Sequence, residues 1–230
     1  GRLIAAAHIS LADPGAAAEE LERSVRAGAK GAFLAPYTLT RIPHGHPDHD
    51  AFWARAQALG VPIAIHPMAE HPKIRTYQRF DGMGGARWMQ NALGMQGPQQ
   101  AFYGLFQWGL FDRFPDIKIV VLESGAGWIG ASLDRMDTTY STTLGDSVPL
   151  KEKPSTYFKR QCWISGDPDE RALAHIIDYV GNDRFFWATD YPHFDHPGNF
   201  MEELEELVEP LSDVARNNLL GASAASVYGI

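Results

Sequence analysis

Phe185-Phe-Trp-Ala-Thr-Asp190-Tyr-Pro-His193 is an apolar run of strand character that ends on a carboxylate, followed by a Tyr-Pro turn and a histidine. Burying a carboxylate at the end of a strand is costly unless a metal ion neutralises it or it serves as a general base. Parallel-barrel enzymes carry their chemistry at this end of their strands. The segment therefore predicts a strand that delivers Asp190 to a functional site.

The order of strand, polar tip and helix recurs six times along the 230 residues. We expect strands over 2–11, 31–35, 61–67, 117–122, 161–165 and 184–189, with helices between them and short connections except at 68–98. Such alternation is typical of a parallel α/β sheet flanked by helices, in a single domain over 1–230. An open doubly wound sheet also fits six strands, although no glycine-rich phosphate loop follows the first strand.

Composition excludes several classes of protein. The net charge of −8 argues against nucleic-acid binding, and Cys162 is the one cysteine, so neither a disulfide framework nor a cysteine zinc cluster can form within the chain. No apolar run approaches the roughly 20 residues of a membrane span. A cytoplasmic protein that acts on or binds a small molecule is expected.

Three predicted strands end on side chains that bind metals or carry protons: His66, Glu123 and Asp190. A single residue of this kind is often a capping or core hydrogen-bonding group. Three of them on separate parallel strands converge at one edge of the sheet, which favours a site. A histidine with carboxylates suits one divalent transition metal ion, and we expect zinc, with manganese and iron as alternatives.

The motifs, taken in order, resemble the amidohydrolase-related family (the amidohydrolase 2 branch, which includes aminocarboxymuconate-semialdehyde decarboxylase). The resemblance is carried by three segments and by the C-terminus from Asn217: Ala64-Ile-His66-Pro67, Val121-Leu-Glu123-Ser-Gly-Ala-Gly-Trp128 with Leu133-Asp-Arg-Met136, and Trp187-Ala-Thr-Asp190-Tyr-Pro-His193. It implies a (β/α)8 TIM-type barrel of which the visible strands are the third to the eighth. It also implies that His66 and Asp190 are metal ligands, with Asp190 the proton acceptor from a bound water.

Two departures from the family's pattern accompany the resemblance. The family's first-strand pair of ligands, His-x-His or an acid-x-His, has no counterpart, so the chain is expected to begin after it. The decarboxylases carry a histidine where this chain has Glu123, which can orient water, shuttle a proton or ligate the ion. We therefore expect a metal-dependent hydrolase of a small, carboxylate-bearing substrate, with Asp190 and Glu123 catalytic. A non-oxidative carboxy-lyase and a catalytically incomplete binding subunit are the alternatives.

The long segment 68–98 is predicted to be a lid, since loops of this length in a compact domain usually cover or bind a ligand. Its arginines Arg75, Arg79 and Arg87 suit a substrate carboxylate, and its aromatic residues suit a planar substrate or a homodimer contact.

The remaining histidines are assigned from their surroundings. His193 is expected to contact substrate, because it follows Asp190 so closely. His44, His46 and His49 occupy a loop rich in proline and glycine and are expected to be solvated, whereas His8, within a strand, is expected to be a core histidine.

Overall fold

The six predicted strands form one parallel sheet in the computed structural model, which describes residues 3–68, 84, 88–89, 92–193 and 199–230. The strands are β1 (Ala6–Ile9), β2 (Gly31–Leu34), β3 (Ile63–Ile65), β4 (Ile119–Val121), β5 (Cys162–Gly166) and β6 (Phe185–Trp187). Their order in the sheet is their order in the chain, and every neighbouring pair is parallel. All carboxyl ends of the strands therefore lie along one edge.

Helices connect the strands, as the alternation predicts. They are α1 (Pro14–Arg26), α2 (Asp50–Leu59), α3 (Gln96–Gln107), α4 (Leu110–Arg113), α5 (Ile129–Tyr140), α6 (Pro154–Gln161), α7 (Leu173–Val180), α8 (Phe200–Val208), α9 (Asp213–Asn217) and α10 (Ser223–Tyr228), with 3-10 turns at Pro47–His49 and Gly145–Ser147 and a wide helical turn at Asn218–Ala222. No helix among the described residues is both long and apolar enough to cross a bilayer.

Alternate strand residues face two different environments. One face, with the fully buried Ile63, Ile65 and Val121, packs against the helices in the main hydrophobic core. The opposite face carries a smaller cluster in which Ala64, Val120 and Phe186 contact Val227 of α10. The near-continuous apolar strands reflect this burial on both faces, which is usual for parallel sheets.

Local signals explain the main helix boundaries. The side chain of Asp13 accepts hydrogen bonds from the backbone N–H groups of Gly15 and Ala16, both at 3.0 Å, and so caps the start of α1. Gly60 ends α2 in a left-handed conformation (φ 66°), which glycine adopts without steric penalty.

The helical stretch from Gln96 to Arg113 is interrupted. The chain breaks at Gly109 (φ 62°), where an added Cβ would lie 2.6 Å from the carbonyl oxygen of Pro149. The approach of a distant loop therefore divides α3 from α4. A second helix, α6, precedes β5 and begins at Pro154, in the first turn of the helix where proline is tolerated. The predicted lid over 68–98 falls mostly outside the described residues, and the end of that segment, from Gln96, already belongs to α3.

Candidate metal centre

The three predicted strand-tip residues lie at one edge of the sheet. His66 follows β3 directly, Glu123 lies two residues beyond β4, and Asp190 lies three residues beyond β6. Because the strands are parallel and adjacent in sequence order, these short extensions bring side chains that are up to 124 positions apart in the chain to the same edge. The sequence-based expectation that they share one end of the sheet is therefore met by the topology.

His66 and Glu123 are in direct contact. Nε2 of His66 lies 2.7 Å from Oε2 of Glu123, while Nδ1 of the same ring donates to the carbonyl oxygen of Pro67 at 2.7 Å. The hydrogen bond with Glu123 raises the pKa of His66, burial opposes this, and the Pro67 carbonyl adds to the increase. The bond to Pro67 fixes the ring so that Nε2 is the nitrogen presented to the centre of the site.

Asp190 lies beside His193, which follows it by three residues in the same turn. Its Oδ2 is 3.3 Å from Nδ1 of His193, and its carbonyl oxygen accepts the backbone N–H of His193 at 2.8 Å. The His193 side chain is 44% exposed, compared with 24% for Asp190. The pair thus connects a sheltered carboxylate to an imidazole that reaches solvent.

Glu123, Asp190 and His193 form a compact donor cluster, since each offers one ligand atom within 4.8 Å of the other two. Two ligands of one transition metal ion are at most about 4.2 Å apart, because each bond is about 2.1 Å long. The upper limit on the spacing in the cluster therefore exceeds that of one ion by only about 0.6 Å. Two carboxylates with imidazole nitrogen suit manganese, iron or zinc. The donor set of the chain fits a divalent transition metal ion.

The backbone is strained at both carboxylates. Glu123 (φ 46°) and Asp190 (φ 52°) are left-handed, a conformation that non-glycine residues rarely adopt and that concentrates at functional sites. At Glu123, the backbone N–H donates to Oγ of the buried Ser165 at the end of β5, over 3.2 Å. Ser165 was not identified from the sequence, because its contact comes from the neighbouring strand.

The predictions for the other histidines are partly wrong. His44 and His49 are buried, at 3% and 1% exposure, rather than solvated. The carbonyl oxygen of His44 accepts hydrogen bonds from the indole of Trp53 (2.8 Å) and from the ring of His49 (3.3 Å), so this loop is an internal support of the fold. Only His46 of the three keeps a partly exposed side chain.

His8 is exposed instead of being a core histidine. Its neighbour Ile9 faces the helices and is buried, so His8 points to the opposite face of the sheet. There it stacks on Phe33 with ring centroids 4.8 Å apart, and Phe33 in turn contacts the ring of His66 at 5.6 Å. A cavity of about 180 Å³ at the ends of β1 and β2 is lined by His8, Tyr37 and Met68, among others.

Two further predictions concern the arginines of the lid and the cysteine. Arg75, Arg79 and Arg87, the predicted substrate-binding arginines, lie outside the described residues. Cys162 is fully buried, as expected for a structural thiol, and burial raises its pKa.

Residues 1–230 match the amidohydrolase family (Amidohydro_2). The decarboxylase orsB of Emericella nidulans is 32% identical over 223 residues, covering 90% of this chain and 63% of that protein. The crystal structure of the amidohydrolase map2389c from Mycobacterium avium subsp. paratuberculosis superposes with a TM-score of 0.85 at 23% identity, covering 99% of this chain and 59% of that one. This similarity confirms the predicted α/β, barrel-type fold.

A third comparison bears on the metal. The dihydroxybenzoic acid decarboxylase of Polaromonas sp., solved with bound manganese and the inhibitor 2-nitroresorcinol, is 26% identical with a TM-score of 0.76, covering 94% of this chain and 66% of that one. The 230 residues thus span just under two thirds of the length of the relatives they match. The assignment of the six strands as the third to eighth of a barrel stays a prediction.

Proposed function

The chain belongs to the amidohydrolase family, and we propose that the protein is a metal-dependent, non-oxidative decarboxylase of a hydroxylated aromatic acid. The observation that carries the proposal is the cluster of Glu123, Asp190 and His193 beside His66, which combines metal-binding donors with a proton path to solvent. Two of the three similar proteins described above are named as decarboxylases. Their names support this reaction, one of the alternatives that the sequence allows, better than the hydrolysis that was first expected.

Manganese is the ion that the proposal favours, because the site offers carboxylates as well as imidazoles and because one related decarboxylase was solved with it. His66 through Nε2, with the carboxylates of Asp190 and Glu123, would hold the ion, and His193 lies within reach of the same point. When bound, the ion would supply positive charge that attracts the anionic substrate and stabilises the negative charge that develops on it.

Asp190 acts as the acid. In its protonated form it transfers a proton to the ring carbon that bears the carboxylate, and a C–H bond forms. The bond between this carbon and the carboxylate then breaks, its electron pair returns to the ring, and carbon dioxide leaves. Asp190 remains as the carboxylate. The imidazole of His193, 3.3 Å from Oδ2 and exposed to solvent, then returns the proton.

The carbonyl oxygen of Pro67 orients His66. It accepts from Nδ1 and so fixes the plane of the imidazole, while Nε2, 2.7 Å from Oε2 of Glu123, would face the same ion as that carboxylate once this nitrogen has no proton. A fixed plane matters because a ligand or substrate contact misplaced by about 1 Å can cost a hundredfold in rate.

The substrate class follows from the surroundings of the site. The stack of His8 on Phe33 continues toward His66 and presents flat ring faces on the side of the sheet opposite the main core, which suits a planar aromatic body. Arg75, Arg79 and Arg87 of the predicted lid are proposed to pair with a substrate carboxylate. The proposed substrate is therefore a small aromatic acid.

The test measures carbon dioxide and the decarboxylated phenol from the full-length protein loaded with manganese, with 2,3-, 2,4- and 2,6-dihydroxybenzoate as substrates. Equal yields of carbon dioxide and phenol support the proposal. Turnover of ester, amide or lactone substrates without carbon dioxide release contradicts it and favours the hydrolase. Failure to bind manganese, zinc or iron stoichiometrically indicates instead a binding subunit that is not an enzyme.

A further inference from the structure

Glu170, in the loop after β5, makes an unusual set of contacts with the loop that carries Glu123. Its Oε1 accepts the backbone N–H groups of Ala126 (2.8 Å) and Asp167 (2.9 Å), while its Oε2 accepts those of Gly127 (2.7 Å) and again Ala126 (2.9 Å). One carboxylate thus ties together three backbone donors from two different loops. Hydrogen bonds from N–H groups to an ionised carboxylate are stronger than those between neutral groups.

The sequence between Glu123 and α5 leaves room for this carboxylate. A Cβ atom on Gly127 would lie 3.2 Å from Oε2 of Glu170, and one on Gly125 would lie 3.3 Å from the same oxygen. Gly125 also has a left-handed backbone (φ 61°). The two glycines therefore let the turn close tightly over Glu170.

The turn from Glu123 to Gly127 is consequently anchored at both ends by β5 and the loop that follows it. The N–H of Glu123 donates to Oγ of Ser165, and three residues later the N–H groups of Ala126 and Gly127 donate to Glu170. Glu123 itself is held left-handed, which is stable only where the surroundings over-determine it.

We propose that Glu170 is a positioning residue: its carboxylate clamps the 125–127 turn and thereby holds the Glu123 side chain against His66 and the metal ion. This inference rests on the proposed function, because it takes Glu123 as part of the metal centre. Glu170 acts through Glu123 and is not itself among the donors that surround the ion. Supporting residues of this kind typically change metal affinity by about 10- to 100-fold when they are lost.

The test compares manganese affinity, measured from the electron paramagnetic resonance signal of free Mn²⁺, for the full-length wild-type protein and its variants. Glu170→Gln keeps the size of the side chain but replaces one accepting oxygen with an NH2 group, which donates and cannot accept. We expect it to weaken Mn²⁺ binding by about tenfold or more. The matched control is Asp169→Asn, which removes the charge of the exposed neighbouring acid and should leave affinity within about twofold, as is usual for surface substitutions.

A double-mutant cycle separates positioning from general destabilisation. If Glu170 acts through Glu123, then adding Glu170→Gln to Glu123→Gln should weaken Mn²⁺ binding by less than about twofold beyond Glu123→Gln alone, because coupled residues are non-additive. A full additional tenfold loss overturns the proposal, as does Glu170→Gln binding Mn²⁺ like the wild type.

A second variant covers the case in which Glu170→Gln fails to fold in urea-unfolding controls. Gly127→Ala keeps Glu170 and its charge but places a methyl group against Oε2, and it should weaken Mn²⁺ binding in the same direction. Wild-type affinity in Gly127→Ala contradicts the clamp. If the wild-type protein itself does not bind Mn²⁺, the proposed function fails first. If it binds and Glu123→Gln weakens binding while Glu170→Gln does not, only the clamp fails.

Discussion

Replacing His44 with glutamine should remove a part of the acid sensitivity of the fold. The ring is 3% exposed, and its Nε2 donates to the carbonyl oxygen of Ala35 over 2.8 Å. Burial lowers the pKa of His44 from its usual 6.5 to about 4, against the raising effect of the Ala35 carbonyl and with a smaller contribution from His49. Glutamine can keep the hydrogen bond, since its amide nitrogen has a similar reach, but it does not titrate.

The direction of the effect follows from the two pKa values. The folded-state pKa of His44 lies below the unfolded one, so this contribution to stability is complete above about pH 6.5 and is lost as the pH falls toward 4. Each unit of difference between the two pKa values corresponds to about 1.4 kcal/mol, so the full contribution of His44 to the free energy of unfolding is about 3 kcal/mol. About 2 kcal/mol of this contribution is lost between pH 7 and pH 5.

The assay is urea unfolding followed by tryptophan fluorescence, at pH 7 and pH 5, with EDTA present so that metal loss does not contribute. The free energy of unfolding of the wild-type protein should fall between the two pH values by about 2 kcal/mol more than that of His44→Gln. His175→Gln, at an exposed position of α7, is the matched control and should behave like the wild type. An equal pH dependence in the wild-type protein and His44→Gln would refute the reasoning.

Three further outcomes are expected. Asp190→Asn should abolish carbon dioxide release while the midpoint of thermal unfolding stays close to the wild type, because the amide has no acidic proton to transfer; retained turnover would remove Asp190 as the acid. Cys162 should react with a thiol reagent only on unfolding, since the group is fully buried with a raised pKa; fast labelling of the native protein would contradict this. Gly45→Ala should lower the free energy of unfolding by roughly 1–3 kcal/mol, because its Cβ would lie 2.5 Å from the carbonyl oxygen of Gly104; unchanged urea unfolding would show that the loop can move away.

The sheet could be predicted because its signals are local. Runs such as Ile117-Lys-Ile-Val-Val-Leu122, each followed by a helix, contain the β-branched pattern of a buried strand, and parallel topology follows from the alternation. The break between α3 and α4 could not be predicted in this way. It depends on Pro149, 40 positions beyond Gly109, approaching too closely for any side chain.

The residues of the candidate site could likewise be predicted only in part. His66, Glu123 and Asp190 could be proposed because each is a polar residue at the end of an apolar run. The supports of the site could not be predicted. Ser165 and Glu170 are separated from Glu123 by more than 40 positions, and they reach Glu123 and the turn after it through the pairing of β4 with β5. The burial of His44 was missed for a similar reason, because its partners are set by packing and not by the polar loop in which it lies.

The left-handed backbone at Glu123 explains how a strand end can deliver this side chain to the metal centre. Val121 faces the helices, and a regular strand would turn Glu123, two residues later, to the same apolar side. A left-handed residue redirects the chain, at a cost of about 1–3 kcal/mol, so that the carboxylate meets His66 at 2.7 Å. The hydrogen bonds that Ser165 and Glu170 accept from this turn offset part of that cost. The contacts of Ser165 and Glu170 therefore maintain the strained backbone and fix the position of the Glu123 carboxylate. This is expected where the position of a side chain matters more than the stability of its own backbone.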